Sequence, residues 1–273
     1  MQACRVAQAT PEFECLRIVQ RFGAVLMVTE LFLARTMVLI PALNEAETVG
    51  ETVRFWKAMG AARVRVINNG SSDETKEIAA NAGAEVLEER RRGYGAACWT
   101  GLQNVPKEIE WILFSSADGS DRLAAEDLEG WERHVRNDVD FILGDRFSRR
   151  EAREHLKWIQ RFGNRLCCSL IYLGWAKRFN DMGSLRLIRS SVLRELALKD
   201  RGFGWNIEMQ VRAVEQGVRM IELPVAYFPR AAGRSKISGS FRGTIRAAWG
   251  MTRMIVYLWR TRRQREKNSR AFS

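Results

Sequence analysis

The sequence predicts an α/β domain with a mostly parallel β-sheet and helices on both of its faces. Short β-rich runs alternate with helical patterns between residues 37 and 144, as in strands joined by crossover helices. Apolar residues make up 46% of the 273 residues, which is enough for one large core. Such sheets bind ligands at the carboxyl ends of their strands, so the loops that follow strands are the candidate functional loops.

The elements follow one another in a regular order. Met37 to Ile40 form a predicted strand that Pro41 ends, and the next stretch places Val49, Val53 and Trp56 on one helical face. Further strands are predicted at 63–67, 84–88, 110–114 and 140–144, and further helices at 74–83, 93–105 and 124–137.

The pattern changes after residue 151. A basic helical stretch at 154–178 leads to "NDMGSLRLI", then to a helix at 205–217 and a strand interrupted by Pro224. We therefore expect an N-terminal extension at 1–36, a main domain at 37–240 and a basic amphipathic helix at 241–273. Because Met37 stands at the very start of the first predicted strand, residues 1–36 are either an appended helix or a misassigned start.

The net charge of +12 points to an anionic partner, such as nucleic acid, a phosphorylated ligand or a membrane surface. Five cysteines without CxxC spacing indicate reduced thiols in a cytosolic protein. No apolar run reaches the roughly 18 residues of a membrane span, and residues 1–21 lack the order of a signal peptide. The sequence predicts a cytoplasmic protein.

Polar loops follow the predicted strands. In "PALNE", Glu45 can accept hydrogen bonds from a nucleobase or simply favour a helix N-terminus. In "NNGSSD", Asn68 can both donate and accept, and Asp73 is either a ligand contact or an N-cap. In "RRRGYGAA", the glycine turn opens a helix whose N–H groups can bind phosphate, and the alternative is a basic surface turn.

The loop "SSADGSD" directly follows the apolar run "WILF" and holds two carboxylates, Asp118 and Asp121. Magnesium needs only one or two protein carboxylates when phosphates and waters supply its other ligands. Ser116 stands two residues before Asp118, where a second carboxylate would complete a metal site. Asp118 is therefore the candidate anchor for a metal or for a diphosphate.

These motifs resemble family 2 glycosyltransferases. "VLIPALNEAETV", "NNGSSDET", "RRGYGAA", "SADGSD", "GDRF", "GFGWNIEMQVRA" and "PVAYFPRAAGRSKISG" occur in the order of that family, over residues 37 to 245. The most similar branch is the dolichyl- or polyprenyl-phosphate sugar transferases. The resemblance implies a GT-A (Rossmann-like) fold and inverting transfer of a sugar from a nucleotide diphosphate sugar such as a UDP- or GDP-sugar.

The resemblance also implies a donor site. The family usually has Asp at the position of Asn68, and Ser116 replaces the first Asp of its D-x-D motif, so Mg²⁺ or Mn²⁺ would rest on Asp118. The implied contacts of the nucleotide-sugar are Pro41, Leu43, Glu45, Asn68, Asp73, Arg92, Gly93 and Asp118.

The implied acceptor is a polyprenyl phosphate, bound by positive side chains. Glu208 stands where many family members hold a general base, which a sugar hydroxyl would need and a largely ionised phosphate monoester would not. The implied catalytic residues are Asp118, Glu208 and Arg146. The implied contacts of the acceptor phosphate are Arg146, Arg161, Arg186, Arg230, Arg234, Ser235 and Lys236.

The C-terminal helix combines aromatic and basic residues, which suits an interfacial helix on an anionic membrane. The alternative is a helix packed on the domain with a solvated basic tail. We expect a peripherally membrane-associated enzyme. The other hypotheses are a transferase with a hydroxyl acceptor and a non-catalytic relative that only binds nucleotide-sugars. A nucleic-acid binder is disfavoured by the acidic loops.

Overall fold

The computed structural model describes residues 32–121, 123–228 and 241–270, with side chains of the last segment at 247–262. A mixed sheet of seven strands has the order β3-β2-β1-β4-β6-β5-β7. All neighbours pair in parallel except β6, which runs antiparallel to β4 and β5. The strands are β1 Thr36–Ala42, β2 Arg63–Asn68, β3 Glu85–Glu88, β4 Trp111–Phe114, β5 Phe141–Asp145, β6 Arg186–Arg189 and β7 Met220–Pro224.

Helices cover both faces of this sheet, as the alternating pattern predicts. The helices are α1 Ala46–Ala58, α2 Thr75–Asn81, α3 Tyr94–Gly101, α4 Ala125–Arg136, α5 Arg150–Glu154, α6 Trp158–Trp175, α7 Ser190–Glu195, α8 Trp205–Glu215 and α9 Phe241–Arg270. The central strand β1 is buried on both sides because Met37 and Leu39 join one apolar core and Val38 and Ile40 the other. Helices α1, α2 and α4 cover one face, and α3 and α6 to α9 cover the other.

Strand β1 is longer than the sequence predicts, since it continues through Pro41 to Ala42. The Leu39 carbonyl accepts a hydrogen bond from the Ser115 N–H (3.1 Å), so this side of β1 faces β4. The nitrogen of Pro41, two residues on, lies on the same side, where β4 has already ended at Phe114. The missing N–H therefore falls at the point where the pairing of β1 with β4 ends, and proline is tolerated inside the strand.

Packed residues begin before Met37, within the range 1–36 that the sequence predicts as an extension. Residues Phe32–Arg35 form a 3-10 helix in which the side chains of Phe32 and Leu33 are 0% exposed. The Thr36 hydroxyl donates to the Phe32 carbonyl (2.8 Å) at the start of β1. The rest of the expected extension, residues 1–31, lies outside the described residues.

Helix α9 packs on the domain through part of its surface. Met254, Ile255 and Leu258 are buried against α6 and α8, whereas Trp249 and Trp259 are 69% and 49% exposed. The alternative of a packed terminal helix therefore holds for one face, and the other face remains open. Within 32–121, 123–228 and 241–270, no helix has the length and apolar character needed to cross a bilayer.

Candidate functional site

The loops after β1 and β2 are joined to each other at the carboxyl edge of the sheet. The Asn44 N–H donates to the Ser71 hydroxyl (2.9 Å), and the Asn44 side-chain oxygen accepts from the Ser72 N–H (2.8 Å). Asn44 adopts a left-handed conformation with φ of 52°, which asparagine tolerates better than most residues. The candidate donor residues Leu43 and Glu45 thus lie on a loop that these hydrogen bonds hold in place, directly after the strand end that carries Pro41.

Glu45 lies directly before α1 and is 8% exposed. Its N–H donates to the Thr75 hydroxyl (2.8 Å), and its side chain accepts from the Thr48 hydroxyl (3.4 Å). The same site includes Asp73, whose two oxygens accept the N–H groups of Ala46 and Thr75 (both 3.2 Å). Asp73 lies one residue before the N-cap position of α2, which is Glu74. Although burial opposes them, the hydrogen bonds from the Thr75 hydroxyl and from these N–H groups hold the pKa of Asp73 below its usual value.

Asn68 has a structural reason to be an amide. It is 6% exposed, its NH₂ group donates to the Glu88 carboxylate (3.1 Å), and its oxygen accepts the Ser71 N–H (3.1 Å). An aspartate here would face the Glu88 carboxylate at hydrogen-bond distance and would be repelled by it. The departure from the family pattern at Asn68 is thus matched by an acid on the next strand.

Asp118 forms the centre of the acidic loop after β4. One of its oxygens accepts the hydroxyls of Ser116 (2.7 Å) and Ser120 (2.6 Å) and the Ser120 N–H (3.0 Å). Ser116 therefore points at Asp118. The Thr52 hydroxyl donates to the Ala117 carbonyl (3.2 Å), which fixes the loop to α1 and so to the donor-side loops.

Asp121 holds this loop from its buried side. It is 2% exposed and accepts the Ser116 N–H (3.1 Å) and the Ser184 hydroxyl (2.5 Å). Burial raises its pKa, against the opposing effect of the Arg146 cation. Ser184 belongs to the stretch "NDMGSLR" before β6, so this stretch supplies a hydroxyl that holds Asp121.

Arg146, in the loop after β5, forms a bidentate ion pair with Asp181. Its guanidinium donates to both oxygens of Asp181 at 2.7 Å, and its centre lies 5.1 Å from the Tyr227 ring centroid. Tyr227 also forms an antiparallel bridge with Asp121. Although burial alone would lower the pKa of Arg146, the Asp181 carboxylate raises it, so the side chain stays a fixed cation. The structure therefore brings Arg146 next to the acidic loop.

The glycine turn before α3 differs from its expected role. The N–H groups of Gly95 and Ala96 donate to the carbonyls of Gly202 (2.9 Å) and Arg201 (3.0 Å). These groups are the ones that we expected to bind phosphate, and here a protein loop occupies them. The neighbouring Arg92 donates to the Gly70 carbonyl (3.3 Å) and is exposed, so it remains available at the rim.

Glu208 and Arg186 are structural in their contacts. Glu208 is 0% exposed, and its oxygens accept the N–H groups of Lys199 (2.9 Å) and Asp200 (2.7 Å) and pair with Arg212 (2.8 Å). Arg186 is also 0% exposed and donates to the carbonyls of Gly183 (2.8 Å) and Asn206 (2.9 Å) and to the Gln210 side chain (2.7 Å). The expected roles in base catalysis and phosphate binding conflict with this burial.

The side chain of Arg161 is likewise bonded to backbone groups of the protein. Its guanidinium donates to the carbonyls of Arg153 (2.6 Å) and Leu156 (3.0 Å) near the end of α5. These hydrogen bonds do not hold Arg161 in the site beside Arg146. The remaining members of the expected acceptor set, Arg230, Arg234, Ser235 and Lys236, lie outside the described residues.

Asn69 is a residue that the sequence reasoning missed. It is 6% exposed, its NH₂ group donates to the carbonyls of Glu89 (3.0 Å) and Arg91 (2.8 Å), and its oxygen accepts the Gly93 N–H (2.9 Å). This side chain sets the path of the arginine-glycine loop. The doubled amide of "NNGSSD" was the available signal, because a buried asparagine must satisfy both ends of its amide.

A doubly wound sheet with acidic and amide side chains at its carboxyl edge belongs to the class of α/β proteins that bind ligands at that edge. The family described as glycosyl transferase family 2 matches residues 37–197. An uncharacterised glycosyltransferase of Mycobacterium tuberculosis is 34% identical over 224 residues, covering 80% of this chain and 96% of the relative. An undecaprenyl-phosphate mannosyltransferase of Micrococcus luteus is 26% identical over 228 residues, covering 77% and 90%. The chain belongs to glycosyl transferase family 2 and is a glycosyltransferase.

Solved structures confirm the GT-A-like fold. The mannosyl-3-phosphoglycerate synthase from Rubrobacter xylanophilus has a TM-score of 0.65 at 18% identity, covering 90% of this chain and 78% of that one. The glucosyl-3-phosphoglycerate synthase from Mycobacterium tuberculosis, with Mn²⁺, UDP-glucose and glycerol 3-phosphate, has a TM-score of 0.61 at 16% identity, covering 84% and 82%.

The residues of the acidic loop fit a divalent metal only together with a phosphate ligand. Among the described residues, no group of three or more His, Cys, Asp or Glu side chains converges as a metal site. Asp118 with the hydroxyls of Ser116 and Ser120 is a sparse set of oxygen donors. Magnesium tolerates such a set when diphosphate oxygens and waters complete its octahedron.

Proposed function

We propose that this protein transfers a hexose from a nucleotide diphosphate sugar to a polyprenyl phosphate, with inversion at the anomeric carbon. The base and ribose of the donor would lie at the carboxyl ends of β1 and β2 and on the loop after β1, where Pro41, Leu43, Glu45 and Asn68 stand. Asp118 would hold Mg²⁺ or Mn²⁺ against the diphosphate. A metal in that position offsets the charge that develops on the departing nucleoside diphosphate.

The burial and hydrogen bonds of Glu208 are the observation that supports a phosphate acceptor over a hydroxyl acceptor. A hydroxyl acceptor must lose a proton to attack the sugar, and a side chain that is 0% exposed and bonded to two N–H groups and Arg212 is poorly placed to take it. A phosphate monoester, whose second pKa is about 6, is already a nucleophilic anion at neutral pH. A phosphate acceptor therefore dispenses with the base, and the Micrococcus luteus relative is named for such an acceptor.

Arg146 is the described cation best placed to receive an acceptor phosphate. Its side chain is 15% exposed and is fixed by Asp181, while Asp181 itself is 0% exposed. A guanidinium held in this way can direct a remaining N–H to a phosphate oxygen without first losing side-chain freedom. Its position beside the acidic loop would bring acceptor phosphate and donor sugar together.

Association with a membrane surface is part of this proposal. Helix α6 exposes a run of apolar side chains at four-residue spacing, Trp158 (75%), Phe162 (64%) and Leu166 (44%), and α9 exposes Trp249. Side chains at this spacing share one helix face, and exposed aromatic residues among arginines suit the boundary of an anionic bilayer. Such a surface would give access to a lipid acceptor.

The test is an acceptor comparison with the full chain. The protein is incubated with radiolabelled UDP- and GDP-sugars, with Mn²⁺ or with a chelator, and with either a short polyprenyl phosphate or 3-phosphoglycerate. We expect label to enter the organic phase only with the polyprenyl phosphate. Label in a water-soluble product with 3-phosphoglycerate alone would replace the lipid acceptor by a hydroxyl acceptor. Donor binding without any transfer would indicate a non-catalytic relative.

A further inference from the structure

A basic pocket opens on the side of the domain where α9 packs. It lies where the loop after β3, the loop before α8 and helix α9 meet, and its volume is about 630 Å³. Its walls carry the four cations Arg91, Lys199, Arg201 and Arg253, with Met254 and Tyr257 beside them. This size is in the usual range of small-molecule sites. The pocket is not lined by Asp118 or Arg146.

The two acids of the basic pocket offset only part of its positive charge, because two carboxylates stand among four cations. Glu208 is committed to Arg212 and to two backbone N–H groups, and Asp200 accepts the Gly202 N–H (2.8 Å). Within the described part of the chain, the side chains of Arg91, Lys199 and Arg253 take part in no ion pair. The pocket therefore keeps an excess of positive charge.

Arg201 is held in place although another cation is near it. Its guanidinium lies 4.6 Å from the Trp99 ring centroid and donates to the Leu198 carbonyl (3.4 Å). Burial lowers the pKa of Arg201, and the Arg91 cation lowers it further. An anion between the two guanidinium groups would replace this repulsion by two charge-assisted contacts.

Met254 and Tyr257 of α9 line the basic pocket, and Trp249 lies outside this lining, further along the helix. Trp249, Arg253 and Tyr257 are spaced four residues apart on α9 and so share one face of the helix. Trp249 is 69% exposed and Tyr257 is 45% exposed. A ligand that fits both parts carries a negative group for the arginines and an apolar portion for the aromatic side chains.

We propose that the basic pocket binds a phosphate group with an apolar substituent, at a second anion site separate from the Asp118 loop. The phosphate would lie among Arg91, Arg201 and Arg253, and the apolar portion would leave along Tyr257 towards Trp249. The same chemistry is found in an anionic lipid headgroup at a membrane and in a free phosphorylated metabolite. This inference does not rest on the proposed transfer reaction.

The test compares two double variants of the full chain. Arg91→Ala/Arg253→Ala removes two cations of the pocket, and Arg54→Ala/Arg260→Ala removes two exposed cations of α1 and α9 outside it. One arm titrates inorganic phosphate at constant ionic strength by calorimetry. The other measures co-sedimentation with phosphatidylcholine vesicles with and without phosphatidylglycerol. Each charge-assisted contact contributes about 1.5 kcal/mol or more and the pocket variant removes two of them, so we expect a loss on the order of a hundredfold in the pocket variant and little loss in the control.

The two arms identify the source of the phosphate. A selective loss with phosphatidylglycerol vesicles alone assigns the pocket to a lipid headgroup, a loss with inorganic phosphate alone assigns it to a free ligand, and a loss in both arms supports either source. The proposal fails if the pocket variant matches its control in both arms, or if the wild-type protein binds neither probe. If the double variant loses its melting transition, Arg253→Gln is measured against Arg260→Gln instead.

Discussion

At the scale of single residues, the acidic loop depends on hydroxyls as much as on carboxylates. Ser116 occupies the place of an absent carboxylate and donates to Asp118 (2.7 Å), and Ser120 donates to the same oxygen (2.6 Å). Asp121 does not substitute as an exposed ligand, because it is 2% exposed and is bonded to Ser184. The negative charge that this loop can offer to the proposed donor is therefore centred on Asp118.

Replacing Asp118 tests this assignment. In Asp118→Asn the side chain keeps its shape but loses the charge that holds a metal or aligns the diphosphate, so we expect transfer to fall at least about a hundredfold. The control is Asp138→Asn, which changes an acid that is 81% exposed and has a left-handed φ that asparagine also adopts. The rate of label transfer from the nucleotide-sugar is the measurement. Equal activity in both variants would remove Asp118 from the site.

Glu222 holds the backbone of Asp181, the partner of Arg146, and leads to a prediction of how stability depends on pH. It accepts the N–H groups of Asn180 (2.9 Å) and Asp181 (3.0 Å), and burial raises its pKa above 4.5 although these bonds oppose the change. A raised pKa means that the folded state binds the proton more tightly, so this contribution to stability is present at acid pH and is lost as pH rises through the folded pKa.

We therefore expect the free energy of unfolding of the wild type, relative to Glu222→Gln, to fall as pH rises from 4.5 through that pKa, and then to level off. Urea denaturation at several pH values measures this difference. The exposed Glu195→Gln is the control, and its difference from the wild type should change little with pH. A difference for Glu222→Gln that rises with pH would contradict the raised pKa.

At the scale of elements, the loop before α8 and the start of α3 form one unit. Glu208 fixes the N–H groups of Lys199 and Asp200, and the carbonyls of Arg201 and Gly202 then accept the first N–H groups of α3. Gly93 is required at this contact, because an added Cβ would lie 2.3 Å from the Arg201 carbonyl oxygen. Its φ of 152° is also one that other residues rarely adopt.

Gly93→Ala should therefore destabilise the fold by about 1–3 kcal/mol, through strain and displacement of the loop. Gly163→Ala is the matched control, since Gly163 lies within helix α6 and an added Cβ would meet no atom within 4 Å. Alanine favours a helix interior by about 0.5–1 kcal/mol over glycine, so the control should become more stable. Thermal unfolding distinguishes the two, and equal shifts would contradict the contact.

At the scale of the whole molecule, residues before Met37 contribute to the core. Phe32→Ala removes a side chain that is 0% exposed, and we expect a loss of about 3–5 kcal/mol of unfolding free energy. Arg35→Ala, in the same 3-10 helix, breaks only a pair with Glu110 whose side chains are 44% and 42% exposed, which is worth about 0–1 kcal/mol. Urea unfolding of both variants checks this, and a similar small loss in each would allow a domain that starts at Met37.

Much of the architecture could be predicted from the sequence by itself, because it depends on local period and composition. The apolar alternation of β1, the buried face of α1 and the polar loops after strands all follow from the spacing of residues along the chain. The order of the loop motifs was also enough to indicate the family.

Only the tertiary structure decided which polar residues are buried and bonded to the protein and which remain accessible. Glu208 and Arg186 look catalytic or phosphate-binding in a linear motif, yet both are 0% exposed and bonded to backbone groups from other segments. Strand β6 enters the sheet antiparallel between β4 and β5, and Asn69 sets the course of a loop more than twenty residues away. Burial and hydrogen-bond partners are set by segments distant in sequence, so no local pattern encodes them.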